Sequence, residues 1–169
     1  MNSDYLKISI TKDYRHTMNP DEDFRVRVAI KKLVPQAQIP TYANEEGDCA
    51  LDLYALEPAV IKAGYRQKIK TGIAVELPPG YAGLIVPRSG LTVKHGITVL
   101  NTPGLIDSNY RGEIMVVLHN SDPDITFRVN VGARIAQLLV LEVPVVDFVH
   151  VDVLSSTVRG DGGFGSTGE

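Results

Sequence analysis

Residues Ile97 to Leu118 read ITVLNTPGLIDSNYRGEIMVVL. An apolar run at each end encloses a segment rich in Asn, Pro and Gly, a pattern that predicts two strands joined by a turn. The enclosed segment carries a carboxylate (Asp107), a phenol (Tyr110) and a guanidinium (Arg111). A hairpin holds side chains more firmly than a free loop, so it suits a chemical site. Taken alone, these could also be turn residues with a solvated charge at the sheet edge.

Composition limits the classes of protein to consider. The chain has 169 residues, 44% hydrophobic and 22% charged, as expected of one globular domain. Its net charge of −3 argues against a general nucleic-acid binder but permits a small anionic ligand where a few Arg and Lys converge. The best candidate for a membrane span, Leu138–Val149, is interrupted by Glu142 and Asp147. The N-terminus lacks a signal-peptide pattern and Cys49 is the single cysteine, so we expect a soluble cytoplasmic protein with no membrane partner.

The rest of the chain contains many short apolar runs separated by turn residues. No long segment has the 3.6-residue period of a helix, and only Ser89–His95 is expected to form one or two helical turns. This pattern predicts an all-β fold, a jelly-roll-like β-barrel or sandwich. The predicted strands are Phe24–Ile30, Leu51–Ala55, Ile69–Leu77, Ala82–Val86, Ile97–Leu100, Ile114–Leu118, Ile125–Val129, Arg134–Leu141 and Val145–Val153.

Three segments are distinguished by composition. Residues 1–23 have a short alternating run and then acidic residues, and we expect an N-terminal extension with an edge strand or partial order. Residues 24–154 form the predicted β domain. Residues 155–169 form a tail in which Gly residues occupy five of the last ten positions, too flexible to hold a core.

Several polar residues occur where strand packing does not require them. Asp52 lies between Leu51 and Leu53, either as an edge residue or as an outer-sphere metal contact. Arg88-Ser89-Gly90 follows an apolar strand, where free backbone N–H groups and a permanent charge suit phosphate oxygens. The alternative is that Ser89 is an ordinary helix N-cap.

Two further polar sites lie in the C-terminal third of the chain. Arg134 and Gln137 interrupt an apolar strand, and Gln137 could serve equally as a hydrogen-bond node in the core or as a ligand contact. The Gly-rich tail contains a cation, an aromatic ring and two hydroxyls, a combination typical of a lid that closes over a nucleotide. These tail residues are Arg159, Phe164, Ser166 and Thr167.

Five segments in order, CALDLYA, PRSGL, NTPGLIDSNYRGE, GARIAQLLV and RGDGGFGSTG, resemble the motifs of the trimeric dUTPase family. The resemblance spans about Val26 to Gly168. It implies a homotrimer with shared active sites that hydrolyses dUTP to dUMP and pyrophosphate with Mg²⁺. Such an enzyme limits uracil incorporation into DNA and supplies dUMP for dTMP synthesis.

The resemblance also implies a role for each candidate residue. Asp107 would activate the attacking water and contact the sugar 3′-hydroxyl, and Tyr110 would exclude a 2′-hydroxyl. Asn101, with the hairpin backbone at Gly104, would read the uracil edge. Asp52 would contact Mg²⁺ through water. Phosphate contacts would come from Arg88, Ser89, Gly90 and Gln137, and the lid contacts from Arg159, Phe164, Gly165, Ser166 and Thr167.

Three positions depart from the family pattern: Ala50, Asn109 and Ala133. Ala133 replaces an Asp before Arg134, which leaves the charge partner of that arginine open.

Two other functions are compatible with parts of the sequence. A dCTP deaminase of the same fold would need an acid within the strand after the hairpin, where this chain has Ile114-Met-Val-Val-Leu. A nucleotide-gated regulatory protein would instead use residues 1–23 to bind a partner.

Overall fold

The computed structural model describes residues 25–44 and 46–163. They form eleven strands and one short helix. The strands are β1 (Ala29–Lys32), β2 (Leu51–Tyr54), β3 (Ala59–Ile61), β4 (Arg66–Lys70), β5 (Ile73–Glu76), β6 (Tyr81–Val86), β7 (Ile97–Val99), β8 (Gly104–Ile106), β9 (Met115–Asn120), β10 (Phe127–Val129) and β11 (Arg134–Glu142). The helix α1 spans Ser89–His95.

All of the described strand pairs are antiparallel. The largest sheet has the order β2-β11-β6-β8, and a second has the order β4-β9-β7. Two further pairs, β1-β5 and β3-β10, complete the arrangement. Non-sequential neighbours and many short antiparallel strands make this a jelly-roll-like fold.

The core consists of aliphatic side chains that alternate along the strands. In β9 the pattern of partly and fully buried residues has period two, so every second side chain points into the core. The largest fully buried side chains are Leu53, Ile61, Ile73, Leu77, Ile97, Ile114, Leu118 and Ile135.

The structure confirms the all-β fold and the helix at Ser89–His95, and it corrects several strand predictions. The run Ile69–Leu77 is two strands, because Gly72 turns the chain with a φ of 72° between β4 and β5. Strands β3, which follows Pro58 directly, and β8, which lies in the segment predicted as a turn, were not predicted. The first strand begins at Ala29 rather than Phe24, and Phe24 and the predicted N-terminal extension lie outside the described residues.

The prediction of a strand at Val145–Val153 is wrong. After the amide of Val143 donates to the carbonyl of Gly80 (2.7 Å), residues 144–163 contain neither strand nor helix. Val145 and Phe148 are 97% and 93% exposed. An alternating apolar run forms a strand only where it can hydrogen-bond to the edge of a sheet. This segment pairs with no described strand. Among the described residues there is also no helix long and apolar enough to cross a membrane.

A buried amide organises the loop between β9 and β10. Asn120 is fully buried, and its Nδ2 donates to the carbonyls of Ile61 (3.0 Å) and Ile125 (2.8 Å). Its Oδ1 accepts from the amide of Asp122 (3.1 Å). The backbone N–H groups of Asp124 and Ile125 in turn hold the pKa of Asp122 below its usual value. One side chain thus satisfies three backbone groups from separate parts of the fold.

We expect Asn120→Ala to lower the free energy of unfolding by about 2–4 kcal/mol, because it leaves buried carbonyls without donors. Urea denaturation of the variant measures this loss. The exposed Asn130→Ala is the control and should change stability by less than about 0.5 kcal/mol. Equal stability of the two variants would contradict the role of Asn120.

Candidate functional site

A buried carboxylate joins two arginines on the β2-β11-β6 part of the large sheet. Asp52 is 1% exposed and lies in β2. Its Oδ1 accepts from Nε of Arg88 and its Oδ2 from Nη1 of Arg134, both at 3.1 Å. We call these three residues the arginine–aspartate cluster. Asp52 thus lies on an edge strand of the sheet but is buried and paired rather than solvated, and Arg134 has the charge partner that the sequence left open.

A one-residue irregularity in β11 makes this cluster possible. Between β2 and β11, Gln137 pairs with Asp52 and Ala136 pairs with Leu53. The register then shifts by one residue between Ala136 and Arg134, so Arg134 pairs with Tyr54. Without the shift, Tyr54 would face Ile135 and Arg134 would lie on the opposite face of the sheet. The bulge thus places the Arg134 guanidinium on the face that carries Asp52.

Arg88 reaches the same face from β6. Val86, the last residue of β6, pairs with Gln137, and Arg88 lies two residues further along. Its Nη1 donates to the carbonyl of Arg134 (3.2 Å), so the guanidinium bridges β2 and β11. Arg88 also occupies the N-cap position of α1, with no side-chain cap. The alternative prediction that Ser89 is the N-cap is therefore wrong, and Ser89 and Gly90 are exposed in the first helical turn.

Gln137 occupies the centre of this face. It lies between Asp52 in β2 and Val86 in β6, and its side chain is half-buried. Together with the two arginines it provides donors on one surface, which suits an anion. Among the described residues, no cluster of three or more His, Cys, Asp or Glu side chains could hold a metal.

The predicted hairpin is present, and its turn contains an additional strand that was not predicted. Strands β7 and β9 pair from Ile97 with Asn120 to Val99 with Leu118. The turn between them contains β8, which pairs with β6 in the other sheet. Gly104 belongs to β8, and a Cβ there would lie 3.3 Å from Nδ2 of Asn101, so these two predicted residues are adjacent.

Asp107 and Tyr110 lie beside each other after β8. Both are exposed, and the amide of Tyr110 donates to the carbonyl of Asp107 (3.1 Å). No described residue bonds to the Asp107 carboxylate, so it is free to accept a proton or a hydrogen bond from a ligand. An open cleft of about 260 Å³ lies against this pair. It is lined by Lys68, Leu105, Ile106, Asp107, Tyr110, Glu113, Met115 and Val117.

Arg111 braces the turn through two backbone carbonyls and one carboxylate. Its Nη1 donates to the carbonyls of Ser108 (2.6 Å) and Tyr110 (3.0 Å), and its Nη2 lies 3.0 Å from Oε1 of Glu76. This arginine therefore holds the backbone that carries Asp107.

Within one chain, the hairpin carboxylate and the arginine–aspartate cluster lie far apart. Ile106 pairs with Gly83 near the start of β6, whereas Arg88 follows the end of that strand. At about 3.3 Å per residue, Asp107 and Arg88 are separated by roughly 20 Å along β6. The structure thus groups Asp52, Arg88, Arg134 and Gln137 at one place and Asp107 and Tyr110 at another. Gly104, which pairs with Ile85, and the adjacent Asn101 lie between them along β6.

The predicted lid lies only partly within the described residues. Arg159 is exposed, and its Nε donates to the carbonyl of Gly162 (2.9 Å) in a local turn. Phe164, Gly165, Ser166 and Thr167 lie outside the described residues.

The fold and these two groups of residues define the class of protein: an all-β protein with a surface rich in hydrogen-bond donors and a separate hairpin carboxylate. The family model for dUTPase matches residues 35–168. The deoxyuridine 5′-triphosphate nucleotidohydrolase of Thermobifida fusca is 50% identical over 143 residues, covering 85% of this chain and 79% of the relative. That of Corynebacterium diphtheriae is 48% identical over 151 residues, covering 89% and 99%.

A solved dUTPase structure is also similar to this chain. The dUTPase of Staphylococcus bacteriophage 80alpha with dUPNHPP has a TM-score of 0.77 and 28% identity, covering 85% of this chain and 99% of the phage chain. The chain described here belongs to the dUTPase family.

Asp52→Ala is expected to lower the free energy of unfolding by about 2–3 kcal/mol. The change removes two charge-assisted hydrogen bonds, but the arginines are partly exposed and can turn toward water. Chemical denaturation checks the loss, with the exposed Asp124→Ala as the matched control. A variant as stable as the wild type would mean that the cluster contributes no stability.

Proposed function

We propose that this protein hydrolyses dUTP to dUMP and pyrophosphate in the cytoplasm. In the reaction, a water oxygen bonds to the α-phosphorus and the bond from that phosphorus to the bridging oxygen of the β-phosphate breaks. The water proton passes to a carboxylate and pyrophosphate leaves. The activity limits uracil incorporation into DNA and supplies dUMP for dTMP synthesis. The single cysteine, Cys49, is free, which is consistent with the reducing environment of the cytoplasm.

The observation that carries this proposal is the free carboxylate of Asp107 on a braced hairpin, in a chain of the dUTPase family. Asp107 is the general base, and its carboxylate also accepts from the sugar 3′-hydroxyl. The ring of Tyr110 lies against C2′ and leaves no space for a ribose hydroxyl. Asn101 and the backbone at Gly104 form hydrogen bonds to the uracil edge.

The arginine–aspartate cluster and its surroundings bind the triphosphate. Arg88 provides a permanent charge, while Ser89, Gly90 and Gln137 donate hydrogen bonds to phosphate oxygens. Charge neutralisation and positioning supply most of the catalysis in phosphoryl transfer.

Mg²⁺ would reach the site on the triphosphate itself. Asp52 fits an outer-sphere contact, because each carboxylate oxygen has two lone pairs and the arginines take one from each. Mg²⁺ keeps several of its waters in such sites and neutralises charge on the phosphates when bound.

The complete site requires more than one chain. Asp107 and Arg88 of one chain are too far apart to contact the same α-phosphate, which supports a homotrimer with shared sites. The exposed apolar residues from Val145 to Leu154 would pack on a neighbouring chain. The tail beyond them would cap that neighbour's site, with Arg159, Ser166 and Thr167 on the outer phosphates and Phe164-Gly165 over the base.

Glu113 does not fit the role of a deaminase acid. It precedes β9, and its Oε1 accepts from the amide of Gly72 (2.8 Å). The strand itself, MVVLHN, contains no carboxylate.

Asp107→Asn should bind dUTP but lose about 10²–10⁴-fold in kcat, because an amide cannot accept the proton of the attacking water. Pyrophosphate release measures the rate, and binding of a non-hydrolysable dUTP analogue is the control for an intact site. A kcat within about threefold of the wild type would exclude Asp107 as the base.

Two inactive variants should restore activity when refolded together. A chain cut before Arg159 keeps its hairpin, and an Asp107→Asn chain keeps its tail. With equal random mixing, roughly a quarter of sites receive an intact hairpin and an intact tail from different chains. Activity no higher than that of the separately refolded variants would contradict sharing of sites between chains.

A further inference from the structure

The ring of Tyr110 rests on the backbone of Gly112. A Cβ added at Gly112 would overlap the phenol oxygen of Tyr110 and would lie 2.6 Å from Cζ and 2.9 Å from Cε2. The phenol also donates to the carbonyl of Glu113 (2.9 Å). Tyr110 is 39% exposed, so surrounding packing does not fix its ring. These two contacts determine where the ring lies.

Glu113 is in turn held by the corner between β4 and β5. Its Oε1 accepts from the amide of Gly72 at 2.8 Å. Both backbone groups of the next residue, Ile114, form hydrogen bonds. Its amide donates to the carbonyl of Ile73 (2.8 Å), and its carbonyl accepts from the hydroxyl of Thr71 (2.5 Å). Thr71 and Ile114 are fully buried. The carbonyl that anchors Tyr110 thus belongs to a segment fixed in the core.

We propose that Gly112 and Glu113 are positioning residues that set the discrimination between deoxyribose and ribose through Tyr110. The inference rests on the proposed function, in which this ring excludes the 2′-hydroxyl. Rejecting one hydroxyl by contact requires the ring to be placed within about 0.5 Å. Gly112 permits the ring to approach the backbone, and Glu113 holds its hydroxyl end at that position.

The first test uses the ratio of kcat/KM for dUTP to kcat/KM for UTP. Gly112→Ala forces the ring away from the backbone, and we expect the ratio to fall by at least about tenfold. In a Tyr110→Ala background, which lowers the ratio by itself, Gly112→Ala should cause no further fall. Tyr110→Phe, which keeps the ring and loses only its bond to Glu113, should lower the ratio by a smaller factor.

The second test separates positioning from a general loss of stability. Glu113→Ala should lower the ratio, whereas Glu113→Gln should keep it within about threefold of the wild type, since an amide oxygen still accepts from Gly72. Glu57→Ala is the matched control: Glu57 is exposed and pairs with Lys70 at 3.9 Å, so the ratio should not change. Melting temperatures confirm that each assayed variant is folded, and Tyr110→Phe tests the hydroxyl anchor even if Gly112→Ala does not fold.

The outcomes distinguish this inference from the proposed function. If Tyr110→Ala leaves the ratio unchanged, both the sugar-excluding role of Tyr110 and the positioning inference are overturned. If Tyr110→Ala lowers the ratio but folded Gly112→Ala and Glu113→Ala do not, only the positioning inference is overturned. A further fall caused by Gly112→Ala in the Tyr110→Ala background would also overturn it, since the effect would not pass through the ring.

Discussion

The pairing of the buried Asp52 carboxylate with Arg88 and Arg134 is the interaction that joins β2, β11 and the end of β6 on one face of the large sheet. A charge this deeply buried is costly unless it is paired, and Asp52 bonds to one guanidinium at the end of β6 and another in β11. Pairing fixes both arginines on one face, although Arg134 reaches that face only through the bulge in β11. The surface is therefore preorganised for negative charge before a ligand arrives.

The hairpin is preorganised by different means. Arg111 holds the turn through backbone carbonyls, and the β4–β5 corner holds Glu113 and Ile114 through buried hydrogen bonds. Among the described residues, none bonds to the Asp107 carboxylate that this support carries. The two parts lie at opposite ends of β6, which is why we propose that a ligand contacting both binds between chains. The exposed apolar segment after Val143 fits the same proposal, because it pairs with no described strand of its own chain.

Patterns of short range predicted most of the fold. Short apolar runs identified the strands at Leu51, Ala82, Ile97 and Arg134, and turn residues separated them. Strands β3 and β8 escaped prediction because β3 directly follows Pro58 and β8 lies in a segment whose Asn, Pro and Gly residues indicated a turn. The predicted strand at Val145–Val153 failed for the opposite reason: its pattern is correct for a strand, but a strand exists only where another strand pairs with it.

Residue patterns and motifs alone were enough to predict the fold class, the family and a set of candidate site residues, because spacing and residue type are local properties of the chain. Asp52, Arg88, Asp107 and Tyr110 could all be selected without coordinates. The tertiary structure decided which of them meet. It paired Arg134 with Asp52 across 82 positions of sequence and joined Glu113 to Gly72 across 41. It also separated Asp107 from Arg88. Such contacts depend on strand register, and a shift of one residue reverses the face on which a side chain lies.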